Sequence, residues 1–104
     1  PYVVAMIDEK NCGIDIEKID TKIEKIKSKF LSDEELKITK NDIIELTKYW
    51  SIKESTYKLK GSTVPLKKIK IKKISENYFE SFIEGEQFEI STMEIDKHIL
   101  SFTN

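Results

Sequence analysis

The sequence predicts an α+β fold, in which helices pack on a small, mostly antiparallel sheet. Two observations support this prediction. Apolar residues recur at helical spacing between residues 19 and 60, whereas after Pro65 they alternate with polar residues at the period of a β-strand. Because strand-like sequence also precedes the helical region, the predicted order is strands, then one long and one or two shorter helices, then strands.

The chain has 104 residues, of which 18 are lysine and 19 are acidic, and its formal net charge is -1. This length suits one small core, so we expect residues 1–104 to form a single domain. The charge balance gives no indication of a nucleic-acid partner, and no apolar run approaches the ~20 residues that cross a bilayer. Cys12 is the only cysteine, which excludes an internal disulfide and favours a cytoplasmic location.

Two segments near the N-terminus predict a β-hairpin. Residues 2–7 form a short apolar run with β-branched side chains, which is typical of a buried strand. Residues 12–17 alternate, with Ile14 and Ile16 on one face and two carboxylates on the other. The polar segment between the two runs is a suitable turn.

The middle of the chain predicts three helices. Four apolar residues at helical spacing form the first: Ile19, Ile23, Ile26 and Phe30. Asp20 is its expected N-cap, and residues 32–35 have the form of a capping box that begins a second, short helix. Asn41 is the expected cap of a long helix that continues to about Lys60, and Gly61 is its expected stop.

The last third of the chain predicts four strands, namely residues 66–74, 78–84, 86–95 and 97–102. Gly85 and the polar pair Asp96–Lys97 mark turns between them.

The first candidate for chemistry is the pair Asp15 and Glu17 on a predicted strand. The period of two places both carboxylates on one face, roughly 7 Å apart along the strand. Paired carboxylates suit Mg²⁺, which binds one or two of them together with waters and substrate phosphates. The alternative, a solvated strand face, is the more common explanation of an Asp-x-Glu sequence taken alone.

The second candidate lies on the long helix. Four apolar residues form one stripe at helical spacing: Ile43, Leu46, Trp50 and Tyr57. Glu54 falls within this stripe and Lys58 lies at its edge, one turn further on. A carboxylate that faces a core is costly unless a metal or a lysine neutralises it. The alternative is an exposed ion pair between Glu54 and Lys58, worth about 0.2–0.5 kcal/mol.

The other side of the same helix carries Ile44, Ile52 and Leu59. We expect these side chains to face a sister chain or a second domain, since a soluble domain rarely leaves such a row exposed.

Three sequence motifs together resemble the 4'-phosphopantetheinyl transferase superfamily. They are GIDIE at residues 13–17, FLSDEE at residues 30–35 and WSIKESTYK at residues 50–58. The third motif is much more specific than the first, and their order along the chain matches that of the family. The resemblance implies the family's fold, and it implies transfer of the pantetheine arm of coenzyme A to a serine of an acyl or peptidyl carrier protein.

The resemblance also implies roles for individual residues. Asp15, Glu17 and Glu54 would hold Mg²⁺ against the pyrophosphate of coenzyme A. Glu54 would also act as the general base for the attacking serine. Lys58 would stabilise or protonate the departing phosphate oxygen, and Lys53 would add a phosphate contact.

The W-S-x-K-E-S form resembles the larger, pseudodimeric type of transferase, and the chain matches the second half of that type. Since the chain begins at Pro1, we expect it to lack an upstream half, or else to form a homo-oligomer. The alternative function is that of a non-catalytic domain of the same ancestry, which binds coenzyme A or a carrier protein. The lysines of residues 67–73 are either a solvated strand face or a docking surface for an acidic carrier protein.

Overall fold

A computed structural model describes residues 13–61 and 63–103, and there the chain forms a five-stranded antiparallel sheet and three helices. The α+β fold predicted from the sequence is confirmed. The predicted strand at residues 2–7, and with it the hairpin, lies outside the described residues. So does Cys12.

The sheet has the strand order β1-β5-β4-β3-β2, so that its first strand pairs with its last. The strands are β1 (Ile14–Lys18), β2 (Lys70–Ser75), β3 (Tyr78–Ile83), β4 (Glu86–Ile95) and β5 (His98–Thr103). The helices are α1 (Ile23–Phe30), α2 (Asp33–Thr39) and α3 (Ile43–Lys60). None of these helices is both long and apolar enough to span a membrane.

The four predicted C-terminal strands are confirmed, with one difference at the start of the first. Leu66–Lys68 form a single 3₁₀ turn directly after Pro65, and the strand begins only at Lys70. The hairpin turns at Glu84–Gly85 and Asp96–Lys97 each contain two consecutive residues with positive φ. Two such residues give a turn whose twist matches that of the strands it joins.

The cap predictions are confirmed in two of four places. Ser32 and Glu35 form the predicted capping box of α2, and Gly61 ends α3 in the left-handed conformation. Asn41 is not the cap of α3. The cap is Asp42, whose carboxylate accepts hydrogen bonds from two backbone N–H groups of the first turn.

The prediction that Asp20 caps the first helix is wrong. Helix α1 begins at Ile23, and the preceding residue Lys22 offers no side-chain cap. The Asp20 carboxylate instead accepts a hydrogen bond from the Lys22 backbone N–H at 2.9 Å. Asp20 therefore makes a local turn two residues before the helix, which is a conformation that aspartate side chains also stabilise.

Helix α3 is buried on two sides, whereas its apolar stripe predicted burial on one side only. On one side, Leu46, Tyr49 and Ile52 join the core that α1 completes. On the other side, small hydroxyl residues pack on the sheet, where Ser101 Oγ donates to the Ser51 carbonyl oxygen at 2.9 Å. Small side chains let the helix approach the sheet closely, with their hydroxyl groups paired.

The prediction that Ile52 faces a partner chain is wrong, because its side chain is fully buried in this core. Of the two other residues in that predicted row, Ile44 is 39% exposed and Leu59 is half-buried. The row therefore does not form a continuous apolar surface.

Gly13 lies where the start of β1 comes closest to α3. A Cβ atom on Gly13 would lie 2.3 Å from the backbone carbonyl oxygen of Ser55. No side-chain rotation relieves a clash with a backbone atom of a packed helix, so the approach of β1 to α3 requires glycine at this position.

We expect Gly13→Ala to lower the free energy of unfolding by about 1–3 kcal/mol, the usual cost of overpacking a tight contact. Urea unfolding monitored by circular dichroism measures this change. Ser28→Ala, on the exposed side of α1, is the control and should change stability by less than about 0.5 kcal/mol. Equal stability of the two variants would contradict the close contact.

Candidate active site

Asp15 and Lys58 join β1 to the last part of α3 through an ion pair. The distance from Lys58 Nζ to Asp15 Oδ1 is 2.9 Å. The Asp15 side chain is only 4% exposed, whereas that of Lys58 is 55% exposed. The carboxylate is therefore held inside the protein by an ammonium group that reaches in from solvent. The solvated-face alternative for Asp15 is wrong, because the carboxylate face of β1 points toward α3.

The second oxygen of Asp15 has no such partner. Asp15 Oδ2 is buried and accepts no hydrogen bond within the part of the chain that the structure describes. Glu17 lies on the same face of β1, two residues further along. Two neighbouring carboxyl groups lack a donor between them unless one holds a proton or both contact a cation.

The pKa of Glu17 reflects this arrangement. Burial raises the pKa of Glu17 to about 8, with further increases from the carboxyl group of Asp15 and from the charge of Glu54. A hydrogen bond from the Trp50 indole acts in the opposite direction. A carboxyl group with such a pKa holds its proton until a positive charge replaces it.

Glu54 belongs to the same group of charges. Burial raises its pKa above the ordinary value, the charge of Asp15 raises it further, and Lys58 partly opposes both. Glu54 is half-buried, as expected for a carboxylate within the apolar stripe of α3. The charge of Asp15 on β1 therefore acts on Glu54 of α3.

Lys58 is the cation of this group. Burial lowers its pKa, but the hydrogen bond and charge of Asp15 outweigh burial, and the charges of Glu54 and Glu17 add to them. The net effect is a pKa above the ordinary value, so the ammonium group stays protonated.

The donor set fits a magnesium ion only in part. Within residues 13–61 and 63–103, no three Asp, Glu, His or Cys side chains are grouped closely enough to hold a metal ion by themselves. However, Mg²⁺ needs only one or two carboxylates when waters and substrate phosphates complete its shell. The unpartnered Asp15 Oδ2 beside Glu17 is such a position.

Two surface grooves adjoin the carboxylates. Glu17 lines a groove of about 280 Å³ between β1, α1 and α3, whose apolar part consists of Ile23, Ile26 and Trp50. Glu54 lines a second groove of about 330 Å³, which we call the loop groove. Its other lining residues are Tyr57, Thr63, Val64, Pro65 and Leu66. Glu17 and Glu54 thus each line a groove at the protein surface.

Lys53 is not brought to this group, although the sequence predicted a phosphate contact for it. Its side chain is fully buried, and Nζ lies 2.6 Å from Glu35 Oε1 and 3.1 Å from the Leu66 carbonyl oxygen. Burial lowers the pKa of Lys53, an effect that Glu35 opposes. In this conformation Lys53 cannot reach a ligand at the surface.

Glu35 is the residue of this region that sequence reasoning missed. Its capping-box position gives it a local role, and nothing in the spacing of 18 residues between Glu35 and Lys53 indicates a contact. The one available signal is Lys53 itself. It lies among residues of α3 that are buried on both sides, and a buried ammonium group needs an acidic partner.

The pH dependence of stability provides a test of the Glu17 environment. The pKa of Glu17 is 4.5 in the unfolded chain and about 8 in the folded protein. Between these values the folded state keeps a proton that the unfolded state has lost, so rising pH favours unfolding. Without metal, we expect the melting temperature to fall as the pH rises from about 5 to about 8, and Glu17→Gln to remove most of this decrease.

Differential scanning calorimetry in a chelator at several pH values measures the effect. Glu24→Gln, on the exposed side of α1, is the control and should keep the profile of the natural protein. A Glu17→Gln profile as steep as that of the natural protein would contradict the raised pKa.

Comparison with known proteins agrees with the motifs. The sequence model of the 4'-phosphopantetheinyl transferase superfamily matches residues 11–103. A search of curated proteins found no match. The matched range includes every residue of the acidic group, the lysine that pairs with it, and all five described strands. The chain belongs to the 4'-phosphopantetheinyl transferase superfamily.

Proposed function

We propose that this protein transfers the 4'-phosphopantetheine group of coenzyme A to a serine of an acyl or peptidyl carrier protein, in a reaction that depends on Mg²⁺. The observation that carries the proposal is the buried Asp15 carboxylate, which Lys58 holds by one oxygen and which offers the other beside Glu17 and Glu54. Family membership supports the reaction class, and this charge arrangement supports the assignment of roles.

Asp15 and Glu17 are the proposed magnesium ligands. Glu54 would join them as the third only by moving closer, because the three side chains are not grouped closely enough to hold an ion by themselves. When bound, the metal ion would neutralise charge on the pyrophosphate of coenzyme A and orient it. Metal binding requires loss of the proton that the raised pKa of Glu17 retains. Asp15 is already held in place by Lys58, so it loses little freedom on binding.

Glu54 is the proposed general base. It would take the proton of the carrier serine, directly or through a water, as the serine oxygen bonds to the β-phosphorus of coenzyme A. Burial and Asp15 raise the pKa of Glu54, which brings it closer to the pH at which the enzyme works. A base is most effective when its pKa lies near that pH.

Lys58 is the proposed partner of the leaving group. As the serine–phosphorus bond forms, the bond between phosphorus and the oxygen of 3',5'-ADP breaks, and Lys58 would stabilise or protonate that oxygen. The 55% exposure of its side chain leaves the ammonium accessible, and Asp15 keeps it charged. Positioning and electrostatics of this kind dominate phosphoryl transfer.

We expect the reaction to take place in the cytoplasm. We also expect a second copy of the chain, or a second domain of the same kind, to complete the coenzyme A site. Both expectations remain predictions from the sequence.

The roles of Asp15 and Glu54 are tested by substitution. Glu54→Gln and Asp15→Ala should each lower the rate of transfer by about 10²-fold or more, because general base and metal ligand are lost. Mass spectrometry of an apo carrier protein, incubated with coenzyme A, Mg²⁺ and enzyme, detects the added phosphopantetheine. Glu24→Gln is the matched control and should retain activity. Full activity of the two site variants, with cooperative unfolding retained, would refute the assignment.

Metal binding is tested separately from activity. Since a ligand that binds only the folded state raises its stability, millimolar Mg²⁺ should raise the melting temperature of the natural protein at pH 8. Asp15→Asn should abolish this rise, whereas Glu24→Gln should keep it. A rise of equal size in Asp15→Asn would exclude Asp15 as a ligand.

A further inference from the structure

Lys53 connects three parts of the molecule through one buried ammonium group. It lies on α3, it donates to the carboxylate of Glu35 at the start of α2 at 2.6 Å, and it donates to the backbone carbonyl of Leu66 at 3.1 Å. The side chain has no exposed surface, and that of Glu35 is 7% exposed. The contact is therefore fixed by the packing of these elements, and solvent does not compete for it.

This ion pair is an expensive way to stabilise a small protein. Both charges lose their hydration, and Glu35 Oε2 is buried with no hydrogen bond within the described residues. Apolar or neutral replacements of a buried pair are often as stable as the pair itself. The capping box of α2 does not need the charge, because glutamine serves at that position as well as glutamate.

Besides its ion pair with Glu35, Lys53 also donates a hydrogen bond to the backbone carbonyl of Leu66. This residue begins the 3₁₀ turn and lines the loop groove together with Glu54. Lys53 and Glu54 are neighbours in α3 and project about 100° apart around its axis. Lys53 thus bonds to Leu66, which lines the loop groove, and the next residue, Glu54, places its carboxylate in the same groove.

We propose that Lys53 is a positioning residue that fixes the 63–66 segment against α3 and so maintains the groove through which a substrate reaches Glu54. The inference rests on the proposed function. It replaces the direct phosphate contact that the sequence predicted for Lys53, and it assigns Glu35 the task of keeping the ammonium charged and oriented.

The test uses a double variant that removes the charges and keeps the cap. Lys53→Met alone leaves the Glu35 charge buried with only the Ser32 backbone N–H as donor and with no ammonium to neutralise it, so it should lower the melting temperature. Glu35→Gln combined with Lys53→Met should restore much of that loss. In both variants, amide hydrogen exchange in residues 63–69 should accelerate at least tenfold, and by a larger factor than exchange in β1 and in the core of α3, which follows global stability.

Steady-state kinetics then separate positioning from stability. For the double variant, we expect the KM for coenzyme A or for the carrier protein to rise at least tenfold, with kcat within about threefold of the natural value. Lys48→Met is the matched control. Lys48 is also buried on α3, but it bonds to Glu76, away from the loop groove. This control should lose stability without a change in either KM.

The outcomes are distinct. If both KM values of the double variant equal those of the natural protein, Lys53 has only a structural role and the proposal is overturned. The proposal is also overturned if amide exchange in residues 63–69 of both variants is as slow as in the natural protein. If the natural protein itself transfers no phosphopantetheine, the proposed function fails, and the role of Lys53 in that reaction fails with it.

Discussion

The contact between β1 and α3 is the constraint on which the rest of the structure depends. There the buried carboxylate of Asp15 on the sheet meets Lys58 of the helix. The two backbones approach so closely that Gly13 has no room for a Cβ atom. Ser51 completes the contact, since its hydroxyl lies 3.3 Å from the Asp15 carbonyl oxygen and 2.7 Å from Ser101 Oγ. Small residues on α3 such as Ser51 therefore allow β1 to approach, which places the Asp15 carboxylate beside the helix.

This close packing concentrates negative charge where water is scarce, and the protein leaves part of that charge uncompensated. Lys58 neutralises one oxygen of Asp15, while burial and the neighbouring Asp15 raise the pKa of Glu17 to about 8, so that Glu17 keeps its proton. A site optimised for stability alone would not retain such an arrangement, because each buried carboxylate costs free energy. The cost is understandable if the free protein is prepared for a cation that arrives with its substrate.

The two lysines of the same motif divide the work according to their burial. Lys58 is half-exposed, so its charge is available to a ligand, whereas Lys53 is fully enclosed and can act only on its neighbours. The difference follows from their positions around α3, which packs against α1 on one side and against the sheet on the other. Residues five apart on a helix differ by about 140° in direction, so they face different surroundings.

Four features could be predicted from the sequence alone: the fold class, the four C-terminal strands, the capping box at Ser32 and the end of α3 at Gly61. They depend on local periodicity and on backbone conformations that few residues adopt. The candidate acidic residues Asp15, Glu17 and Glu54 could also be named from the sequence, because they lie in the motifs at residues 13–17 and 50–58. Three features became visible only in the folded protein: Ile52 lies in the core, Glu35 is the partner of Lys53, and Lys58 bonds to one oxygen of Asp15. Burial on two sides of a helix and contacts between residues distant in the chain have no local signature, because they arise only when separate elements pack together.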